Sequence, residues 1–281
     1  RAIAATLAEV SSTQVPVLVT GESGTGKELI ARALHDRSAR SDGPFIAINC
    51  AGLPDALIET ELFGHVRGAF TGAIRDRSGA FKLAEGGTLF LDEIGDLAAK
   101  GQGDLLRVLD DGVYRPVGSS KAERANVRIV AATNRDLTVW ANEGRFRSDL
   151  LYRLNIVELR LPPLRERPED IPALVESFNL HFSARHQRNP KVFLPEFMDR
   201  LARHPWPGNI RQLRNLIERL IVTVRESRIG AECAPPVAAG RPADQRPKSG
   251  LSGGSPSVPA RAFRSSPFRL AIATPMSPAS S

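Results

Sequence analysis

Apolar residues occur along the chain in short continuous runs separated by helical spacings, and the alternation predicts a layered α/β fold. Residues 15–20, 45–49, 88–91, 127–132 and 156–159 are short stretches rich in Val, Ile, Leu and Ala, as in buried strands. Helical periods lie between and before them, over residues 2–10, 28–38, 54–63 and 105–109. Strands that are apolar throughout and alternate with helices predict a mostly parallel, five-stranded sheet covered on both faces. Past Leu161-Pro162-Pro163-Leu164-Arg165 only helical spacing is legible, over residues 169–185, 195–203 and 209–226. Asn209 is the expected N-cap of the last helix, with Gln212 at its third position. The pattern divides the chain into an α/β domain, residues 1–164, and a small all-α domain, residues 165–229. From residue 230 onward no period survives, and nine of the 21 prolines lie there. A disordered tail is predicted for residues 230–281, which bury too little apolar surface to offset chain entropy.

Composition adds little to this picture. A hydrophobic content of 42% and a charged content of 25% are ordinary for a soluble globular chain. No apolar run is long enough to span a bilayer. The net charge of +7 invites a nucleic-acid reading, but residues 231–281 carry +4 of it and leave +3 for residues 1–230. The cysteines, Cys50 and Cys233, make no disulfide framework, and a reducing cytoplasm is the simplest compartment. The first residue is Arg1 rather than Met, consistent with a piece of a longer protein.

Candidate chemistry gathers at the carboxyl ends of the predicted strands, where ligands collect in open α/β sheets. The first strand runs into Gly21, Glu22, Ser23, Gly24, Thr25, Gly26, Lys27 and Glu28, and a helical period follows. Glycines let backbone N–H groups approach phosphate oxygens, the helix adds its positive dipole end, and Lys27 adds a cation. Glu28 stands where a Ser or Thr usually ligates Mg²⁺, so Asp92 is expected to carry more of that coordination. Asp92 and Glu93 end a buried strand. Beside a phosphate loop, Asp92 suits Mg²⁺ and Glu93 suits activation of a water; a helix cap is the structural alternative. Asn134 ends the next strand, within reach of a γ-phosphate or serving a turn. Arg147 and Arg153 are spaced to emerge near one surface, where solvated ion pairs are the usual outcome. The segment containing Gly68, Ala69, Phe70, Thr71, Gly72 and Ala73 has neither period, and its glycines mark a flexible excursion.

With these motifs in order, residues 1–227 resemble the central AAA+ ATPase domain of bacterial enhancer-binding proteins, the NtrC-type activators of sigma-54 RNA polymerase. The loop from Gly21 to Glu28 resembles the family's phosphate loop, in which a final Glu is usual. Gly68 to Ala73 is similar to the hexapeptide that touches sigma-54. The resemblance implies that Asn49 restrains the catalytic Glu93 and that Thr133-Asn134 forms the first sensor. It also implies that Arg147 and Arg153 enter the neighbouring subunit's site, and that Arg211 on the helical lid is the second sensor. ATP and Mg²⁺ are the implied cofactors. A homo-oligomeric ring is implied, usually a hexamer and sometimes a heptamer. The implied partner is the sigma-54 RNA polymerase holoenzyme, with promoter or enhancer DNA bound through a domain not visible in this sequence. Gly101 and Gly103 depart from the family's helix formers, and the helix around them is expected to start late. A nucleotide-binding regulator without remodelling activity, or a remodeller of another client, are the alternative functions.

Overall fold

The computed structural model describes residues 2–52 and 54–236. The tail expected to be disordered from residue 230 is corrected at its start, where Ala231–Cys233 form a 3-10 turn, and the rest of it, residues 237–281, lies outside the described residues. Five strands form the central sheet: β1 (Val17–Thr20), β2 (Phe45–Asn49), β3 (Thr88–Asp92), β4 (Arg128–Thr133) and β5 (Val157–Arg160). Their order is β2-β3-β4-β1-β5, and every pairing is parallel. The register brings the carboxyl ends into line, with Thr20 opposite Thr133 and Asn49 opposite Asp92. Strand β4 is buried at all six positions, which is why its sequence is apolar almost throughout.

Alternate residues of the inner strands enter opposite cores. Val17, Val19, Phe90, Val130 and Ala132 pack with Leu7 of α1 (Ala2–Ser11) and Ala31 and Leu34 of α2 (Lys27–Asp36). Leu18, Leu89, Leu91, Ile129 and Ala131 meet the second helical layer. That layer comprises α3 (Asp55–Phe63), α4 (Ala80–Leu83), α5 (Ala99–Asp111), α6 (Leu137–Asn142) and α7 (Ser148–Leu154). Arg128 is buried where α1 and α2 end, donating to Val10 O at 2.8 Å, Ser11 O at 3.1 Å and Leu34 O at 3.4 Å. A cation there satisfies terminal carbonyls and complements both helix dipoles.

The lid consists of α8 (Ile171–Arg185), α9 (Pro195–Arg203) and α10 (Asn209–Thr223). It also contains a two-residue parallel pair, Val192–Phe193 with Arg228–Ile229, too short to show a period. Lys191 Nζ donates to Val224 O at 2.9 Å and Glu226 O at 2.7 Å, holding the chain as it leaves α10 at Thr223, before residue 226.

Two local expectations are corrected. Helix α5 does not start late; it begins at Ala99 and runs through both glycines. A Cβ at Gly101 would lie 2.9 Å from Leu97 Cδ1, so close packing there outweighs the helix cost of about 1 kcal/mol per glycine. Nor does Asn209 cap α10: Gly208 holds the N-cap position, and Gln212 Oε1 accepts its N–H at 3.0 Å. The Asn209 side chain serves the phosphate loop instead.

Candidate functional site

The loop after β1 turns through left-handed glycines at Gly24 (φ 80°) and Gly26 (φ 101°). A Cβ on Gly24 would stand 2.5 Å from Gly208 O, so the lid comes close enough to demand glycine. Lys27 opens α2 and bends back over the loop, donating from Nζ to Gly21 O at 3.0 Å. Its side chain is only 6% exposed and lies 3.5 Å from Glu93 Oε1. Glu28 points away along the helix and pairs with Arg32 at 3.2 Å.

Glu93 has left-handed backbone angles (φ 51°, ψ 48°), which cost a non-glycine residue on the order of 1 kcal/mol or more. That turn presents its carboxylate to Lys27 and to Asn134, whose backbone N–H donates to Glu93 Oε2 at 3.1 Å. Asp92 Oδ1 accepts the Glu93 N–H at 3.0 Å. Burial first, and the Glu93 charge second, hold the Asp92 carboxyl above its ordinary range, with Lys27 opposing. Two adjacent carboxylates of this kind, beside a phosphate loop, suit a divalent cation. Behind them, burial and the Asp92 charge push the Cys50 thiol up to about 12, so it remains protonated at neutral pH.

The other sequence-predicted residues divide into two groups. Asn49 lies level with Asp92, but its Oδ1 accepts the Ala51 N–H at 2.9 Å, while the Glu93 oxygens engage Lys27 and Asn134. Asn134 reaches the site through its backbone. Arg211 joins the loop, donating from Nη1 to Ser23 Oγ at 2.9 Å and from its backbone N–H to Gly24 O at 3.3 Å. Arg147 and Arg153 lie elsewhere, around α7. Arg147 forms a bidentate pair with Asp149 at 3.0 and 2.7 Å, and Arg153 pairs with Asp110 at 2.6 Å. Both side chains are half-exposed.

Sequence reasoning missed the residues that bind the loop to the lid. Arg165 grips Glu22 with two hydrogen bonds, at 2.9 and 2.7 Å, which holds the Glu22 carboxyl below its ordinary range. Arg167 donates to Thr25 O at 3.1 Å. Asn209 is fully buried in a left-handed turn; it accepts the Leu164 N–H at 2.8 Å and donates to Glu22 Oε2 at 3.1 Å and Ser23 O at 3.0 Å. Asn209→Ala is expected to cost about 1–3 kcal/mol, because it strands a buried N–H and a carbonyl. Arg165→Ala, which breaks an exposed pair, is expected to cost no more than about 1 kcal/mol. Urea unfolding of the two variants checks this order, and a larger loss from Arg165→Ala would contradict it.

The loop predicted as a flexible excursion is closed on itself and braced. Gly68 N–H donates to Ala73 O at 2.9 Å, and Asp76 Oδ1 accepts the Arg67 N–H at 2.7 Å. The Phe70 ring meets His65 edge-on at 4.9 Å. The hairpin of Val113–Tyr114 with Glu123–Arg124 supports it from the side: a Cβ on Gly118, in its connection, would lie 2.6 Å from Ala69 Cβ. Phe70 and Ile74, which is 84% exposed, give the loop an apolar tip.

A phosphate loop with a buried lysine, paired carboxylates on the strand beyond β4, and a helical lid resting on the loop together define an AAA+ P-loop NTPase fold. Residues 1–160 match the Sigma-54 interaction domain, and residues 165–250 match the AAA+ ATPase lid domain. The chain belongs to the Sigma-54 interaction domain family. It is 51% identical over 251 residues to the DNA-binding transcriptional regulator NtrC of Azospirillum brasilense, covering 88% of this chain and 52% of that protein. It is 53% identical over 213 residues to the Nif-specific regulatory protein of Azotobacter vinelandii, covering 76% of this chain and 41% of the relative. Among solved structures, NtrX from Brucella abortus in complex with ADP superposes with a TM-score of 0.78 at 38% identity, covering 83% of this chain and 52% of NtrX. The chain spans about half the length of the curated relatives it matches. No helix among the described residues is long and apolar enough to cross a membrane.

Proposed function

We propose that this chain is the ATP-hydrolysing engine of an activator that remodels the sigma-54 RNA polymerase holoenzyme so that promoter DNA opens. The observation that carries the proposal is the pairing, in one α/β domain, of the Lys27–Glu93 site with the braced loop bearing Phe70 and Thr71. Family membership and the complex of NtrX with ATP support the same reading. The engine comprises the α/β domain, residues 1–164, and the lid, residues 165–229. Promoter or enhancer DNA is bound through a domain not visible in this sequence.

In this mechanism the amides of the glycine loop and Lys27 bind the β- and γ-phosphates. Asp92 would hold Mg²⁺, and the ion would offset phosphate charge. Glu93 orients and deprotonates the attacking water, and the Asn134 N–H holds the other carboxylate oxygen in place. Arg211 leaves Ser23 for the nucleotide, so the lid senses occupancy. Arg147 and Arg153 serve the next subunit of a homo-oligomeric ring, a hexamer by family habit, in a cytoplasmic protein. Asn49, one strand from Glu93, restrains the base after exchanging its Ala51 contact for the Glu93 carboxylate.

Phe70→Ala and Thr71→Ala are expected to keep ATP turnover and lose nucleotide-dependent binding to sigma-54. Phosphate release and co-sedimentation with sigma-54 measure the two arms. Loss of turnover with sigma-54 binding intact would overturn the assignment.

A further inference from the structure

Gln102 lies in the first turn of α5 with 2% of its surface exposed, and its side chain bonds to backbone groups. Nε2 donates to Leu97 O at 2.7 Å and Arg145 O at 3.3 Å, and Oε1 accepts the Arg147 N–H at 2.8 Å. Leu97 ends the 3-10 turn Ile94–Asp96 that follows Glu93 directly. Arg145 and Arg147 lead into α7, and Arg147 occupies its N-cap position. One carboxamide therefore ties the segment carrying Glu93 to the segment carrying Arg147.

A buried amide is costly unless fully bonded, and here it is bonded; an apolar side chain of the same size would fill the space but leave the Arg147 N–H and the Leu97 and Arg145 carbonyls without this partner. What Gln102 offers beyond an apolar side chain is geometry: three directional bonds fix two backbones at one separation. The flanking glycines agree. At Gly101 the helix lies against Leu97, and at Gly103 a Cβ would just touch Arg147 Nη1, at 4.0 Å. The Arg147 side chain itself is half-exposed and pairs with Asp149. Its reach is therefore set at its root, where Gln102 holds the backbone.

We propose that Gln102 is the positioning residue for Arg147, setting how far the guanidinium extends into the neighbouring subunit and linking that reach to the chain's own Glu93 segment. The inference rests on the reading above that Arg147 acts in trans. Displacing a catalytic group by about an ångström costs on the order of 10²-fold in rate. Gln102→Met, close to isosteric, is expected to lower kcat by about that factor with ADP affinity unchanged. Gln102→Asn keeps the amide but retracts it by one methylene, and is expected to do the same.

Mixed rings supply the readout that a merely structural role would not move. A Gln102→Met chain keeps its own Glu93, and a Glu93→Gln chain keeps a well-placed Arg147. Mixing them is expected to restore turnover, whereas mixing Gln102→Met with Arg147→Ala is expected to restore none. Arg147→Ala mixed with Glu93→Gln is the control, and its failure to recover would overturn the trans-arginine reading itself. If that control recovers while neither Gln102 variant does, or if both variants keep full turnover alone, the role of Gln102 is overturned.

Discussion

Replacing Glu93 with Gln is expected to lower ATP turnover by about 10²–10⁴-fold, the usual loss of a positioned general base. That equals about 3–5 kcal/mol of transition-state stabilisation. The substitution is nearly isosteric. The new amide oxygen still accepts the Asn134 N–H, which now meets Glu93 Oε2 at 3.1 Å, so the turn keeps its shape. What disappears is the capacity to take a proton from water and the negative charge 3.5 Å from Lys27 Nζ. Freed from that charge, Lys27 turns wholly to phosphate, and ATP binding should hold or tighten. Phosphate release at saturating ATP and calorimetric ATP binding separate the two effects. Turnover at the unsubstituted level would remove Glu93 from the role of base.

The split between what was legible in the sequence and what was not follows the range of the interactions. The five strands, their parallel sense and the phosphate loop follow from local spacing and from the alternation of strands with helices, and each strand lies within a residue or two of where its pattern placed it; the strand order is a tertiary property that this spacing does not encode. Asp92 and Glu93 stand out in the sequence because they end an apolar strand, and the structure brings Glu93 beside Lys27. The contacts between loop and lid were invisible because their partners are distant: Arg165 and Glu22 are 143 positions apart, and Asn209 and Glu22 are 187 apart. Asn209 shows how a local rule misleads. A helix does start there, but the carboxamide expected to cap it is committed to Glu22, Ser23 and Leu164. Gly101 and Gly103 misled in the opposite direction, because helix propensity is a weak prior that close packing against Leu97 overrides. The ribbon of Gly64–His65 with Arg77–Ser78, which supports the Phe70 loop, has two residues per strand and so no period to read.

Arg147→Ala is expected to lower turnover by about 10³–10⁵-fold, the usual worth of an arginine supplied in trans to a transferring phosphoryl group. Misfolding is a poor explanation for such a loss, because the residue is half-exposed and its pair with Asp149 is a solvent-screened surface ion pair of the kind that adds little to stability. The pair has a mechanistic consequence. In the isolated chain the guanidinium is occupied at 2.7 and 3.0 Å by a carboxylate two residues away, so under the proposed role in trans the neighbouring site would gain it only by exchanging Asp149 for phosphate oxygens. That exchange is close to balanced when the neighbour carries ATP and unfavourable when it is empty. Specific activity of the unsubstituted chain should therefore rise steeply with protein concentration, as sites are completed by assembly, and the Arg147→Ala chain should stay low at every concentration while still binding ATP. Phosphate release measured across a dilution series tests both statements. A specific activity independent of concentration, or a loss of less than about tenfold in the variant, would place the catalytic arginine elsewhere.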